Sequence, residues 1–129
     1  MLYFINTFSV YFLLLYKERD YAKILETYEN LSFRKKHIQS HKGGELNFEI
    51  RFYYLLAQYQ LKKINHEEIC NKLCHHINPE SENTNLFVKL KMKNNLEYLK
   101  TTGFALDNRL TKRHDTLKND VKPIEDFIQ

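Results

Sequence analysis

The chain has 129 residues, 43% hydrophobic and 14% aromatic, with nine Tyr, nine Phe, no Trp and a net charge of +4. That length builds one ordinary domain with a real core and excludes two large ones. Only three Gly and two Pro punctuate it, which argues against a turn-rich all-β fold and for long helices, while the mild basicity neither demands nor forbids nucleic acid.

The N-terminal run "MLYFINTFSVYFLLLY" has no charged side chain before Lys17. It is shorter than the roughly 20 residues a spanning helix needs, and Asn6, Thr7 and Ser9 interrupt it. Neither a basic leader nor a small-residue cleavage site marks a secretory signal. A buried helix from about Thr7 to Lys17 is expected. Apolar on most sides, it needs cover from this chain, a partner or upstream sequence. "KERD" then makes a tight connection, with Asp20 as N-cap of a second helix. Tyr21, Ile24, Leu25, Tyr28 and Leu31 repeat there at steps of three and four, an apolar stripe. "RKKHIQSHKGG" follows as a polar, basic loop.

The third segment, from Glu45 to about Lys63, is dense in apolar residues. Leu46, Ile50, Tyr53, Ala57 and Leu61 fit one helical face, and Phe52, Leu56 and Tyr59 fit another. The spacing predicts a central helix packed on two sides, although "LNFEIRF" alternates like a strand. The fourth helix has the best-specified start. Asn65 and Glu68 have capping-box spacing, and Ile64 with Ile69 can form a hydrophobic staple. Pro79 ends it. Ser81 is the expected cap of a fifth helix, in which Val88, Met92, Leu96 and Leu99 share a face. "VKLKMK" again leaves a strand open locally. Gly103 is a C-terminal stop. The last segment carries Leu106, Leu110, Leu117, Val121 and Ile128 on a narrow seam, and Pro123 is expected to kink or end it. The expected fold is all-α: antiparallel helical hairpins, stacked as a short repeat or packed as an irregular bundle. The expected domains are a helical-hairpin body over 1–103 and an amphipathic C-terminal helix over 104–129.

"HEEICNKLCHH", residues 66–76, concentrates three of the six histidines and both cysteines. His66, Cys70 and Cys74 stand four residues apart. On a helix they drift by about 40° per step and spread over about 12 Å, too far for one tetrahedral zinc with bonds of about 2.0–2.3 Å. A zinc site would take Cys70 with Cys74 or His66, and import ligands such as His37 and His41. The competing reading is apolar. Ile69, Cys70, Leu73, Cys74 and Ile77 form a regular stripe, and free cysteine packs as a small hydrophobe. His75 and His76 then suit the negative end of the helix dipole. The apolar reading is preferred, with no metal and no cofactor. Cysteines at this spacing do not read as a disulfide framework, which points to a reducing, cytoplasmic setting.

"YKERDYAKILETYENL" resembles the turn and second helix of a tetratricopeptide repeat. Asp20 and Tyr21 match the family's turn, and Tyr28 its aromatic knob. In the second hairpin, Leu56 and Ala57 fit the leucine–small pair and Leu73 the knob. Arg19 stands where the family uses Gly, Ile24 and Leu31 stand where it prefers Ala, and Phe12 occupies a small-residue position. The resemblance covers roughly residues 8–78. It implies a scaffold that binds proteins or peptides without catalytic residues of its own, either as a minimal array or as the C-terminal part of a longer repeat protein.

The function expected is therefore a non-enzymatic protein- or peptide-binding helical module. Arg51, Tyr53, Tyr54, Tyr59 and Gln60 on the third helix are the candidate contacts, because tyrosine presents apolar area with one hydrogen-bonding group. One alternative is a nucleic-acid-associated regulator using Arg34, Lys35, Lys36 and Lys42 in the basic loop and Lys89, Lys91 and Lys93 in the fifth segment. Another is a small zinc-supported domain built on Cys70, Cys74 and His66. A homodimer through the N-terminal apolar helix is a further partner expectation. His114–Asp115 and Asp107–Arg109 read as surface charge pairs. No phosphate-binding glycine loop, HExxH or GxSxG is present.

Overall fold

The computed structural model describes residues 2–32, 44–81 and 84–128. Six α-helices occupy them: α1 (Leu2–Lys17), α2 (Tyr21–Ser32), α3 (Gly44–Gln60), α4 (His66–His76), α5 (Leu86–Thr101) and α6 (Asn108–Ile128). The described residues contain no strand. The all-α reading holds, and both stretches with strand-like alternation are helical. "LNFEIRF" lies in α3 and "VKLKMK" in α5. Helical spacing outweighs local alternation there, because Val88, Met92, Leu96 and Leu99 are all buried together on α5.

Two compact units divide the chain, Met1–Ile69 and Cys70–Gln129. In the first, α3 packs against both α1 and α2, and α1 packs on α2. Phe12, Leu15 and Tyr16 of α1, Ile24 and Leu25 of α2, and Ile50, Phe52, Tyr53 and Leu56 of α3 are buried. Aromatic rings dominate. Tyr16 lies 5.4 Å from Tyr21 and 5.8 Å from Tyr53 between centroids. In the second unit α5 packs along α6. Leu110, Leu117 and Val121 are fully buried on α6. They are three of the five residues of the predicted seam, with His114 filling the position between Leu110 and Leu117; Leu106 is half-buried ahead of α6, and the Ile128 side chain lies outside the described residues.

The helix ends follow the local sequence closely. Asp20 caps α2, accepting from the Lys23 amide at 3.3 Å. Asn65 and Glu68 make the reciprocal capping box, at 2.8 and 3.3 Å. The α5 cap differs from expectation. Asn85, not Ser81, accepts from the Val88 amide at 2.9 Å, and Ser81 instead belongs to a turn that donates to the Asn78 carbonyl. Asp107 caps α6 through the Leu110 amide at 2.8 Å.

Three helices end in the same hydrogen-bonded motif. The amide of the second residue beyond the cap returns to the third-last carbonyl: Asp20 to Leu15, Lys63 to Gln58 and Phe104 to Leu99. The motif needs a left-handed residue. Gly103 supplies it at φ 85°, as expected, but Arg19 at φ 62° and Lys62 at φ 60° fill the other two places. Pro123 neither ends nor breaks α6, which runs on to Ile128. The lost amide is borne on an exposed face, and Glu125 beyond it is held by Lys93.

Candidate functional site

The residues picked out on α3 separate onto different faces. Arg51, Tyr54 and Gln58 follow one another at steps of three and four along one face. Tyr54 stacks on Tyr28 of α2, with ring centroids 3.9 Å apart and planes 13° apart. Gln58 Nε2 donates to the Tyr54 hydroxyl at 3.4 Å. Both tyrosines are half-buried and Arg51 is exposed. Burial first, and then the Glu29 carboxylate, pushes the Tyr54 hydroxyl above its ordinary 10.0, while Arg51 pulls it down. The hydroxyl therefore stays protonated and able to donate at neutral pH.

Tyr53 belongs elsewhere. It is 8% exposed and packs edge-on to Phe52 and beside Tyr16. Gln60 is exposed and donates to the Tyr16 hydroxyl at 3.3 Å. Tyr59 is half-buried with its ring edge-on to His66. A spacing argument cannot distinguish these faces without knowing where α1 and α2 lie. Tyr28 and Gln58 were not among the expected partner contacts, although Tyr28 stands on the α2 stripe and at the aromatic-knob position.

The lysines of the fifth segment are mostly engaged inside the second unit. Lys89 Nζ donates to Asp120 at 3.0 Å. Lys93 is buried, donates to Glu125 and lies 3.4 Å from Glu97. The hydrogen bond that Lys93 donates to Glu125 chiefly raises its pKa above the ordinary 10.5, against the opposing effect of burial. Lys91 rests over the exposed Phe87 ring at 5.2 Å. Arg34, Lys35, Lys36 and Lys42 lie outside the described residues, as do His37 and His41.

Cys70 and Cys74 are free and buried, 2% and 6% exposed, beside the fully buried Ile69, Leu73 and Ile77. Burial is the main cause that pushes both thiols above their ordinary 9.0. This opposes the thiolate that a zinc ion requires. His66 is exposed at the start of α4. Among the described residues no three His, Cys, Asp or Glu side chains converge on a metal position. The cysteine face of α4 meets polar groups from α6 instead. Arg113 donates to the carbonyls of Cys74 and Ile77, the latter at 2.7 Å, and so closes the end of α4. Arg109 bonds Asn71 at 2.7 Å and Asp107 at 2.8 Å.

No family model, curated protein or solved structure matches this chain. The helical architecture stands on the structure itself, which adds no sign of a tetratricopeptide-like repeat. No described helix is long and apolar enough to cross a membrane.

His114 departs from its expected surface position. It is 4% exposed, and its Nε2 lies 3.4 Å from Glu97, whose other carboxylate oxygen faces Lys93. The spacing Leu110, His114, Leu117, Val121 is the 4-3-4 pattern of a buried seam. That periodicity was the available signal for His114, masked by its polar identity. Asp107–Arg109 is an ion pair as expected, and Asp107 also serves as the α6 cap.

Proposed function

We propose that this chain is a non-enzymatic helical module that binds a protein or peptide on the α2–α3 face carrying Tyr28, Tyr54, Gln58 and Arg51. The stacked, half-exposed tyrosine pair carries this reading. Two rings already held together expose apolar area that loses little side-chain entropy on binding, and their hydroxyls retain hydrogen-bonding capacity. Arg51 adds an exposed charge of the type enriched at interface hot spots. The tetratricopeptide likeness supports the same class of role, as a proposal about residues 8–78 only. A cytoplasmic setting accords with two free thiols. Self-association through α1 is the second reading, favoured by one observation: Val10, Tyr11 and Leu14 are exposed on it, Val10 at 56% and Leu14 at 53%.

The test compares partners captured by wild type with those captured by Tyr54→Ala and Arg51→Ala, each shown to keep wild-type helicity. Partners that bind the wild type directly in purified form and lose at least about tenfold affinity with Tyr54→Ala support the reading, as expected of an aromatic hot spot. Equal binding by both variants refutes it. Light scattering of wild type and Leu14→Glu tests the second reading, because a dimer through α1 would dissociate in the variant. The nucleic-acid alternative predicts a steep loss of binding with salt.

A further inference from the structure

Arg109, Lys112, Arg113 and Thr116 share one face of α6, at the three- and four-residue spacing of a helix. With the turn 78–80 that follows α4, they line a cleft of about 290 Å³, all of it within the second unit. We infer that this cleft binds a phosphate group, free or as a small monoester, with Arg109, Lys112 and Arg113 as the recognising residues.

The two arginines are already held in place. Arg113 is half-buried, and its Nη1 donates to the Cys74 and Ile77 carbonyls. Its Nε and Nη2 have no partner among the described residues. Arg109 is braced by Asp107, on Nε and Nη2, and by Asn71, on Nη2. Its Nη1 remains without a partner among the described residues. A guanidinium keeps its charge at any working pH and has no lone pair to set against an anion, so each open N–H is a donor. Side chains fixed beforehand also lose less entropy when a ligand arrives. Lys112 is exposed and has no carboxylate partner among the described residues.

The neighbouring carboxylates do not close this cluster. Glu80 lines the cleft, yet it forms no ion pair with the three cations. Its backbone amide, not its side chain, makes the bond to Asn78 Oδ1 at 3.1 Å. Asp107 offsets Arg109 alone, and Asp115 lies 3.7 Å from Lys118. Three cations against Glu80 and Asp107 leave an excess of one positive charge at the cleft. A phosphate monoester suits it better than a carboxylate does. It brings three acceptor oxygens and a charge of about −1.5 to −2 to the three cations, with the Thr116 hydroxyl as a further donor.

The test is a nuclear magnetic resonance titration of the full chain with inorganic phosphate, phenyl phosphate and acetate. We expect saturable shifts confined to residues 78–80 and 109–116, with either phosphate at least about fivefold tighter than acetate. Tighter binding of phenyl phosphate identifies an ester as the ligand, and tighter binding of inorganic phosphate identifies the free ion. Lys112→Ala, an exposed change, should weaken binding by about threefold. Glu80→Gln should tighten it by about twofold or more, because the one carboxylate lining the cleft is neutralised. Lys122→Ala removes the same charge from α6 outside the cleft and should leave binding unchanged. Acetate binding as well as phosphate, equal losses in Lys112→Ala and Lys122→Ala, no gain in Glu80→Gln, or no saturable shift by about 20 mM phosphate overturns the inference.

Discussion

The Met1–Ile69 unit joins its helices with aromatic rings, whereas the Cys70–Gln129 unit joins α5 to α6 with charges as well as leucines. In the first, Phe12 and Phe52 are completely buried and Tyr16, Tyr21, Tyr53, Tyr28 and Tyr54 contact one another in two sets. In the second, an aliphatic seam of Leu96, Leu99, Leu110, Leu117 and Val121 runs beside Lys89–Asp120, Lys93–Glu125 and Lys93–Glu97–His114. The difference lies in side-chain reach. A ring spans the gap between helices with apolar area alone. A lysine covers apolar surface with its stem and needs a carboxylate where its ammonium ends. Residues that look like solvated surface in sequence can therefore be interior contacts.

The largest effect should come from breaking the aromatic side. Phe52→Ala should cost about 3–5 kcal/mol, from lost burial and the cavity left behind, read as a lower urea midpoint. On the charged side, Lys93→Ala should cost about 2 kcal/mol, because it removes a buried stem and leaves Glu125 and Glu97 short of a partner. Lys93→Met should cost less than about 1 kcal/mol, since the stem is kept and buried ion pairs are replaceable by apolar groups. A Met variant as damaged as the Ala variant would show that the charge, not the stem, holds α5 to α6. Arg113→Ala should cost about 1–3 kcal/mol by stranding the Cys74 and Ile77 carbonyls at the end of α4, measured by urea unfolding and by faster amide exchange of the first residues after α4.

Smaller effects sharpen the picture. Arg19→Gly and Lys62→Gly should each stabilise by about 0.5–1 kcal/mol, because both residues hold a left-handed conformation that glycine adopts without penalty. Thermal unfolding reads the gain, and a loss would mean that the side chains contribute contacts exceeding the backbone strain. Asp107 gives a pH test. Burial raises its pKa, but the Leu110 amide and the Arg109 guanidinium outweigh this and hold it below the ordinary 3.8. A lowered pKa means that the stabilisation is complete above the unfolded value and is lost as pH falls through the folded one. Wild type should therefore lose stability below about pH 4, and Asp107→Asn should flatten that part of the curve.

Much of the fold was legible because its signals are local. The Asn65–Glu68 box, the Asp20 cap and the Gly103 stop depend on residues within one turn of each other, and all three formed. Both cysteines fell on an apolar stripe and are buried. The α5 cap was misplaced because Ser81 and Asn85 both suit an N-cap, and only the path of the preceding turn selects Asn85. The candidate site was less legible. Arg51 and Tyr54 could be named from α3 alone, but Tyr53 lies in the core and the ring that completes the pair, Tyr28, comes from another helix.

By itself, the sequence determined the helical state, most helix ends and the apolar stripes, because periodicity and capping act over three or four residues. Tertiary structure decided which stripe met which. It put Tyr28 against Tyr54, brought Lys93 to Glu125 across 32 positions of chain, and turned His114 from an apparent surface residue into a buried one beside Glu97. Those outcomes depend on the direction and register of helix packing. Apolar area fixes that packing collectively, and no short stretch of sequence encodes it.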